Sequence, residues 1–455
     1  MINHYKRNAS SVLTASMIML CMLTISCKTG MNITNIAKQK LVRDSIIQTG
    51  HIGYCIYDAS EHKMLTAYDA EKLFIPASNT KLFTLYAGMK YIKDSINGIF
   101  YKYSNDTLIV LPTGDPTLLS NDFTSHPVLD FFKKNKKPFV LLEPATPLNP
   151  YGKGWAWDDQ QEAYMTQRSI MPLYGNNIKM EWKKNFDIPQ NQFAYELTTL
   201  NMRPPGFMME TKIDTSLIEN KIERKPNSNA YTLTANNKSK SLEFSVPIET
   251  FGLVAAMNIL QSVSTAKAIT QKNPYPNRDD FKAIRSQPTD SLFRIMMHRS
   301  DNFYAEQILL MAGDELNTGF DEEKTITTLL TSDLKDIPQK PRWVDGSGLS
   351  RYNLFSPKDM VYIMEKLINE FGMDRITKIL PTGGEGTLKN MLQEDKGFVF
   401  AKTGSMGNTY CISGLLKTEK GKQLLFSFMI NNFSGKMSDV KKPIEKLLHE
   451  LRIKN

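Results

Sequence analysis

The sequence predicts an α+β fold: one core, split along the chain, that receives a strand-rich insertion. Three observations predict it. Residues 52–70, "IGYCIYDA" and "KMLTAYDA" around a polar turn, alternate like a hairpin, and an apolar helix follows from about Ala77 to Ile92. Residues from about 100 to 280 are mixed and rich in strand-like alternation. From about 283 the pattern turns helical, over 289–313 and 357–371, and then gives three strands, "GFVFAKTGS", "TYCISGLLKT" and "QLLFSFMINNF". Runs of strands and runs of helices in one chain read as α+β.

The elements follow in order. The first residues carry Lys6 and Arg7, then the apolar run 11–26, then Cys27. A short basic region, a hydrophobic stretch too short to span a bilayer comfortably and small residues before a cut read as a secretory signal, residues 1–26. Ser26-Cys27 resembles a bacterial lipoprotein junction, with Thr24 standing where a leucine is usual, so Cys27 is a candidate lipidated membrane anchor. Cleavage there removes Lys6 and Arg7 and no acids, which lowers the formal charge from +9 to +7. The expected location is outside the cytoplasm, in the periplasm or cell envelope.

Within the insertion, "YTLTANNKSKSLEFSV" reads as a hairpin turning at Asn-Asn-Lys, and "YGKGWAWDD" as an aromatic loop. A last amphipathic helix, about 440–451, puts Ile444, Leu447, Leu448 and Leu451 on one face, suited to packing on a sheet. Of the four cysteines, Cys55 and Cys411 lie in strand-like segments and read as small buried hydrophobes, although an exported protein permits a disulfide.

Composition narrows the function. With 41% hydrophobic and 23% charged residues the chain is neither disordered nor a multi-span membrane protein. Its basic residues are scattered, which argues against a nucleic-acid partner. The six histidines are dispersed and no Cys/His cluster has zinc spacing, so neither metal nor cofactor is expected.

The chemistry starts at "FIPASNTKLFT". Pro76 suits a helix start, where its missing N–H is not needed. Ser78 and Lys81 stand three apart, on one helix face. Leu82, Phe83 and Leu85 predict deep packing, and a lysine stripped of water loses charge. A neutral amine can take a proton from a serine hydroxyl. The spacing alone is weak, since Ser60–Lys63, Ser264–Lys267, Ser332–Lys335 and Ser438–Lys441 repeat it. Only Ser78 has the proline entry and the apolar flank. Two further motifs strengthen it. Ser300-Asp301-Asn302 has good helix-capping residues, and it also offers a hydroxyl to relay protons and an amide to hold a substrate carbonyl. Lys402-Thr403-Gly404 ends a buried strand. Lys402 and Thr403 suit a carboxylate, Lys402 adds positive potential that depresses its neighbour's pKa, and Gly404 lets substrate backbone lie close alongside.

These motifs in this order, with "YDAEKLFIPASNTKLFT", "TGDPTL", "YGKGWAWDD", "VDGSGLSRYN", "LPTGGEGTL" and "AKTGSM", resemble the class C low-molecular-mass penicillin-binding proteins, the D-alanyl-D-alanine carboxypeptidase/endopeptidase family, over about residues 50–435. The resemblance implies a serine β-lactamase/transpeptidase-like core over 36–98 and 283–455, with an antiparallel five-stranded sheet, flanking helices and a helical subdomain. Residues 99–282 would be inserted. It implies Ser78 as acylated nucleophile, Lys81 as base, Ser300 and Asn302 as proton path and clamp, and Lys402 and Thr403 as carboxylate holders. The N–H groups of Ser78 and Ser405 would form the oxyanion hole. Asp159 and Arg351 would contact the diamino-acid side chain of a peptidoglycan stem; the bland alternative is a surface acid and a structural arginine. Lys153 departs from the proline common in the aromatic motif. Peptidoglycan peptides are the expected substrates and β-lactams the expected inhibitors. A β-lactamase would differ by rapid turnover of its adduct, and an idle wall-binding scaffold by releasing nothing from sacculi.

Overall fold

The computed structural model describes residues 33–184, 195–214, 216–236, 241–273 and 276–454. The expected signal and Cys27 lie outside them.

The hairpin near the start forms as β1 (His51–Asp58) and β2 (Lys63–Tyr68). A turn at Ala77–Thr80 leads into α1 (Lys81–Tyr91). The middle of the chain supplies β3 (Ser95–Ser104), β4 (Thr107–Pro112), α2 (Pro127–Lys134) and β5 (Phe139–Pro144). It continues with β6 (Asn177–Lys184), β7 (Tyr195–Thr199), β8 (Met208–Ile213) and β9 (Lys221–Arg224). Then come β10 (Ala230–Ala235), β11 (Ser241–Pro247), α3 (Val254–Ser264), β12 (Ala268–Asn273) and β13 (Lys282–Pro288). Helices α4 (Thr289–Arg299), α5 (Asn302–Glu315), α6 (Glu322–Thr331), α7 (Pro357–Phe371) and α8 (Met373–Ile379) follow. The chain closes with β14 (Val399–Met406), β15 (Thr409–Lys417), β16 (Gln423–Asn431) and α9 (Met437–Lys454).

The two ends of the chain make one antiparallel five-stranded sheet, ordered β14-β15-β16-β1-β2, as expected. β15 and β16 are buried almost throughout because both faces are covered. Alternate residues divide between the covers. Cys55, Cys411, Leu415, Leu425 and Met429 pack with Leu82, Phe83, Ile308 and Ile363 of the helices. Tyr54, Ile56, Ile412, Phe426 and Phe428 pack with Ile444, Leu447, Leu448 and Leu451 of α9. The last helix therefore docks on the sheet, and Cys55 and Cys411 are free and buried, as read.

The middle of the chain builds a mixed five-stranded sheet, β12-β5-β4-β3-β13, and two three-stranded sheets, β8-β10-β9 and β11-β6-β7. Two expectations change here. The segment read as one hairpin puts β10 and β11 in different sheets: Tyr231 pairs with Arg224 and Met209, whereas Phe244 pairs with Met180. Alternation identifies a strand but not its partner. The helix read over 289–313 is two. Ser300 turns left-handed at φ 58°, ending α4, and the Asp301 carboxylate accepts the Tyr304 N–H at 2.8 Å to start α5. Capping side chains offered the backbone a break inside an apolar-periodic run.

Candidate active site

Ala77, Ser78, Asn79 and Thr80 form a single tight turn before α1. Ala77 holds φ 47°, a left-handed value uncommon outside glycine, and it aims the turn that presents Ser78. Lys81, the first residue of α1, is fully buried. Its Nζ lies 2.8 Å from Ser78 Oγ, 2.7 Å from Asn302 Oδ1 and 2.7 Å from the Ser347 carbonyl. Burial pushes its pKa down to about 8, while the charges of Asp345, Asp301 and Glu306 pull it partly back. The neutral amine has two N–H bonds and one lone pair. The charged amine donates to all three oxygens; once neutral it keeps two N–H groups for the two carbonyls and turns its lone pair to Ser78 Oγ. The Asn302 amide is held in that sense, since its Nδ2 donates to the Tyr164 carbonyl at 3.0 Å.

Lys402 is also fully buried, on β14. Its Nζ donates to Ser300 Oγ at 2.9 Å and to the Thr403 carbonyl at 2.5 Å. Burial first, and then repulsion from Lys81, hold its pKa well below the ordinary range. The repulsion between the two amines is mutual, and at Lys81 the neighbouring acids oppose it.

An open cleft of about 440 Å³ runs over Ser78 and is lined also by Asp159, Tyr164, Ser300, Asn302, Arg351 and Ser405. Seven of the ten residues singled out from sequence converge on this cleft or, in the case of Lys81, directly beneath it. Lys402, Thr403 and Gly404 lie behind the wall. Lys402 reaches the cleft only through Ser300, so the expected direct grip of its ammonium on a carboxylate is absent from this geometry. The room beside Gly404 is taken by the protein itself: a Cβ there would stand 2.5 Å from the Pro76 carbonyl and 2.8 Å from the Ser78 nitrogen. The glycine lets the strand press against the nucleophile's turn, where sequence reasoning had expected it to admit substrate.

Four groups escaped the sequence reading. The Ser347 carbonyl is set by a loop whose hub is Asp345, fully buried. Asp345 accepts from the N–H groups of Gly348 at 2.8 Å and Ser350 at 2.6 Å, from Asn353 Nδ2 at 2.7 Å and from Trp155 Nε1 at 2.9 Å. Glu306 Oε1 accepts the Ser347 N–H at 2.7 Å, and burial raises its pKa to about 7, with Asp345 adding to the rise. Glu306 also faces the fully buried Arg168 at 3.4 Å, which continues to Glu322 at 3.1 Å. Tyr164, half-exposed, has its pKa raised to about 12 by partial desolvation and by its hydrogen bond with Asp159. An acid and a glutamine inside the apolar helix run "NFYAEQILLMAG" were the available signal for Glu306. A backbone carbonyl leaves none.

Among the described residues no group of His, Cys, Asp and Glu could hold a metal ion, and no helix is long and apolar enough to cross a membrane.

Comparison with known proteins gives the family of the chain. The D-alanyl-D-alanine carboxypeptidase DacB of Haemophilus influenzae is 23% identical over 482 residues, 94% of each chain. The carboxypeptidase DacB of Mycolicibacterium smegmatis is 29% identical over 161 residues, 33% of this chain and 35% of that one. The crystal structure of penicillin-binding protein 4 from Haemophilus influenzae matches with a TM-score of 0.74 at 20% identity, covering 93% of this chain and 99% of that one. A predatory endopeptidase of Bdellovibrio bacteriovorus matches at 0.50 and 13% identity, covering 88% and 94%. The model of the D-Ala-D-Ala carboxypeptidase 3 (S13) family matches residues 34–451. The chain therefore belongs to the D-Ala-D-Ala carboxypeptidase 3 (S13) family and is, in enzyme class, a serine-type D-Ala-D-Ala carboxypeptidase.

Proposed function

We propose that the chain hydrolyses the D-alanyl ends and the D-alanyl cross-links of peptidoglycan stem peptides through an acyl-enzyme on Ser78, and that β-lactams are trapped on the same serine. The observation that carries this reading is the dry amine of Lys81 at 2.8 Å from Ser78 Oγ, with a pKa of about 8.

Lys81 accepts the hydroxyl proton as Oγ attacks the penultimate D-alanine carbonyl. Negative charge grows on the carbonyl oxygen between the N–H groups of Ser78 and Ser405, and losing one such donor costs about 3–4 kcal/mol in comparable sites. Asn302, clamped between Lys81 and Tyr164, has its amide set for the substrate backbone. Ser300, bonded to Lys402, stands in the cleft to pass the proton to the departing nitrogen. The C–N bond breaks, the amine leaves, and water, losing its proton to the same base, cleaves the ester. On the acyl side, the Asp159 carboxylate pairs with the ammonium of the diamino acid and the Arg351 guanidinium with its carboxylate. The enzyme is proposed to be exported, with residues 1–26 as signal and Cys27 as candidate lipid anchor; a labelled fatty acid incorporated by wild type and absent from Cys27→Ser would support the anchor. Its catalytic core is proposed as 36–98 with 283–455, around the insertion 99–282.

Purified sacculi incubated with the enzyme should release D-alanine and lose cross-linked dimers. Sacculi returned unchanged by folded protein would reject the reading.

A further inference from the structure

A second cleft, of about 340 Å³, shares Tyr164, Ser300 and Asn302 with the first and is otherwise lined by other residues, including Asp122, Lys179 and Arg299. We infer that it receives the strand on the amine side of the scissile bond, the acceptor peptide of a cross-link, and that Lys179 holds a carboxylate of that peptide. This rests on the proposed peptidase reading and deepens it.

Position, size and charge point to this occupant. The acyl side of the substrate is proposed to lie in the first cleft, towards Asp159 and Arg351. The leaving nitrogen takes its proton at Ser300, which walls both clefts, so what is attached to that nitrogen has the second cleft beside it. A carboxypeptidase leaving group is a single D-alanine. A cavity of this volume falls within the ~300–1,000 Å³ of sites that enclose whole small molecules, more than one alanine requires.

The charges of the cleft are in direct contact with an opposite charge except one. Arg299 forks onto Asp122 at 2.8 and 2.6 Å and reaches Asp301 at 2.9 Å, and the Tyr304 hydroxyl donates to Asp122 at 2.6 Å. Lys179 is different. Its backbone is fixed on β6, its N–H donating to Asn201 Oδ1 at 2.9 Å and its carbonyl accepting the Leu200 N–H at 2.8 Å. Its side chain is exposed, and its ammonium acts on Asp122 through its charge, helping to hold that carboxyl low, without a direct ion pair or hydrogen bond among the described residues. When a D-alanyl cross-link is cut, the acyl C–N bond breaks, the nitrogen takes the proton that left Ser78, and the strand departs as a free amine. That amine belongs to a diamino acid bearing carboxylate, a partner for an exposed ammonium that has no direct ion pair in the cleft. The insertion, which supplies Lys179, thereby takes part in choosing cross-links over monomers.

The test compares wild type, Lys179→Glu and Lys179→Arg as full chains on labelled penicillin, a monomeric pentapeptide stem and a purified cross-linked muropeptide dimer. The expected result is a KM for the dimer raised about tenfold in Lys179→Glu and restored in Lys179→Arg, with penicillin labelling and monomer hydrolysis within about twofold of wild type. An unchanged dimer KM in Lys179→Glu or an equal fall on all three probes overturns the inference alone; a wild type that trims monomers and leaves dimers intact overturns it together with the cross-link half of the proposed function. A wild type inert to both penicillin and monomer rejects the peptidase reading beneath it.

Discussion

Replacing Glu306 by Gln keeps the side chain's size and its acceptor for the Ser347 N–H but removes a buried negative charge. That charge reaches Lys81 through Ser347, across two hydrogen bonds of 2.7 Å with one residue between them. The separation is therefore on the order of 8 Å, and at an effective dielectric constant of ~20 the attraction is about 2 kcal/mol, or ~1.5 pH units. Glu306 is itself partly protonated near neutrality, with its pKa at about 7, which leaves about one unit of effect. The sign follows from the base: Glu306 favours charged Lys81, so its loss lowers a pKa that stands at about 8. Acylation requires neutral Lys81, so the rising limb of its pH profile moves to lower pH by about one unit. The assay is the second-order rate of labelling by a fluorescent penicillin between pH 5 and 10, read beside thermal unfolding because Arg168 loses one of its two carboxylates. A limb that stays in place or moves up, in a folded variant, would refute the electrostatic link between Glu306 and Lys81.

Other perturbations separate the remaining parts of the site. Lys81→Met should cut penicillin labelling by about 10²–10⁴-fold, the usual span for a lost general base, while circular dichroism stays native. Gly404→Ala should push the strand off the Pro76–Asn79 turn and slow acylation by about 10²-fold, the scale expected for a nucleophile displaced by ~1 Å; a rate within twofold of wild type would mean the turn yields freely. Asp345→Ala strips four donors of their buried acceptor, so urea unfolding should show a loss of about 3–5 kcal/mol. Arg351→Ala should lower kcat/KM for stems carrying a free diamino-acid terminus by about tenfold and spare penicillin labelling; equal losses on both would make Arg351 structural.

The parts of this molecule that were legible in the sequence are those written locally. Pro76 before Ser-x-x-Lys in an apolar run gave a buried lysine one turn from a serine, and the runs of β15 and β16 gave strands covered on both faces. The strand ends and α9 followed from alternation and a four-residue apolar stripe. What was not legible depends on distant partners. Nothing in the letters Lys-Thr-Gly distinguishes a lysine facing the cleft from one buried behind Ser300. The same holds for Gly404, whose neighbours come from 325–328 positions earlier in the chain. β10 and β11 alternate as a hairpin would, yet their partners are β8, β9 and β6. The acceptor that completes Lys81 is the backbone carbonyl of Ser347, whose position is set by Asp345 and Glu306.

The most direct measurement is peptide mapping by mass spectrometry of the protein after exposure to penicillin G across pH. One penicilloyl group on Ser78, absent from Ser78→Ala and formed with a pH midpoint near that of the Lys81 amine, is the expected result. An adduct on another residue, equal labelling of Ser78→Ala, or a rate indifferent to pH between 6 and 9 would contradict proton transfer from residue 78 to the buried amine one turn away.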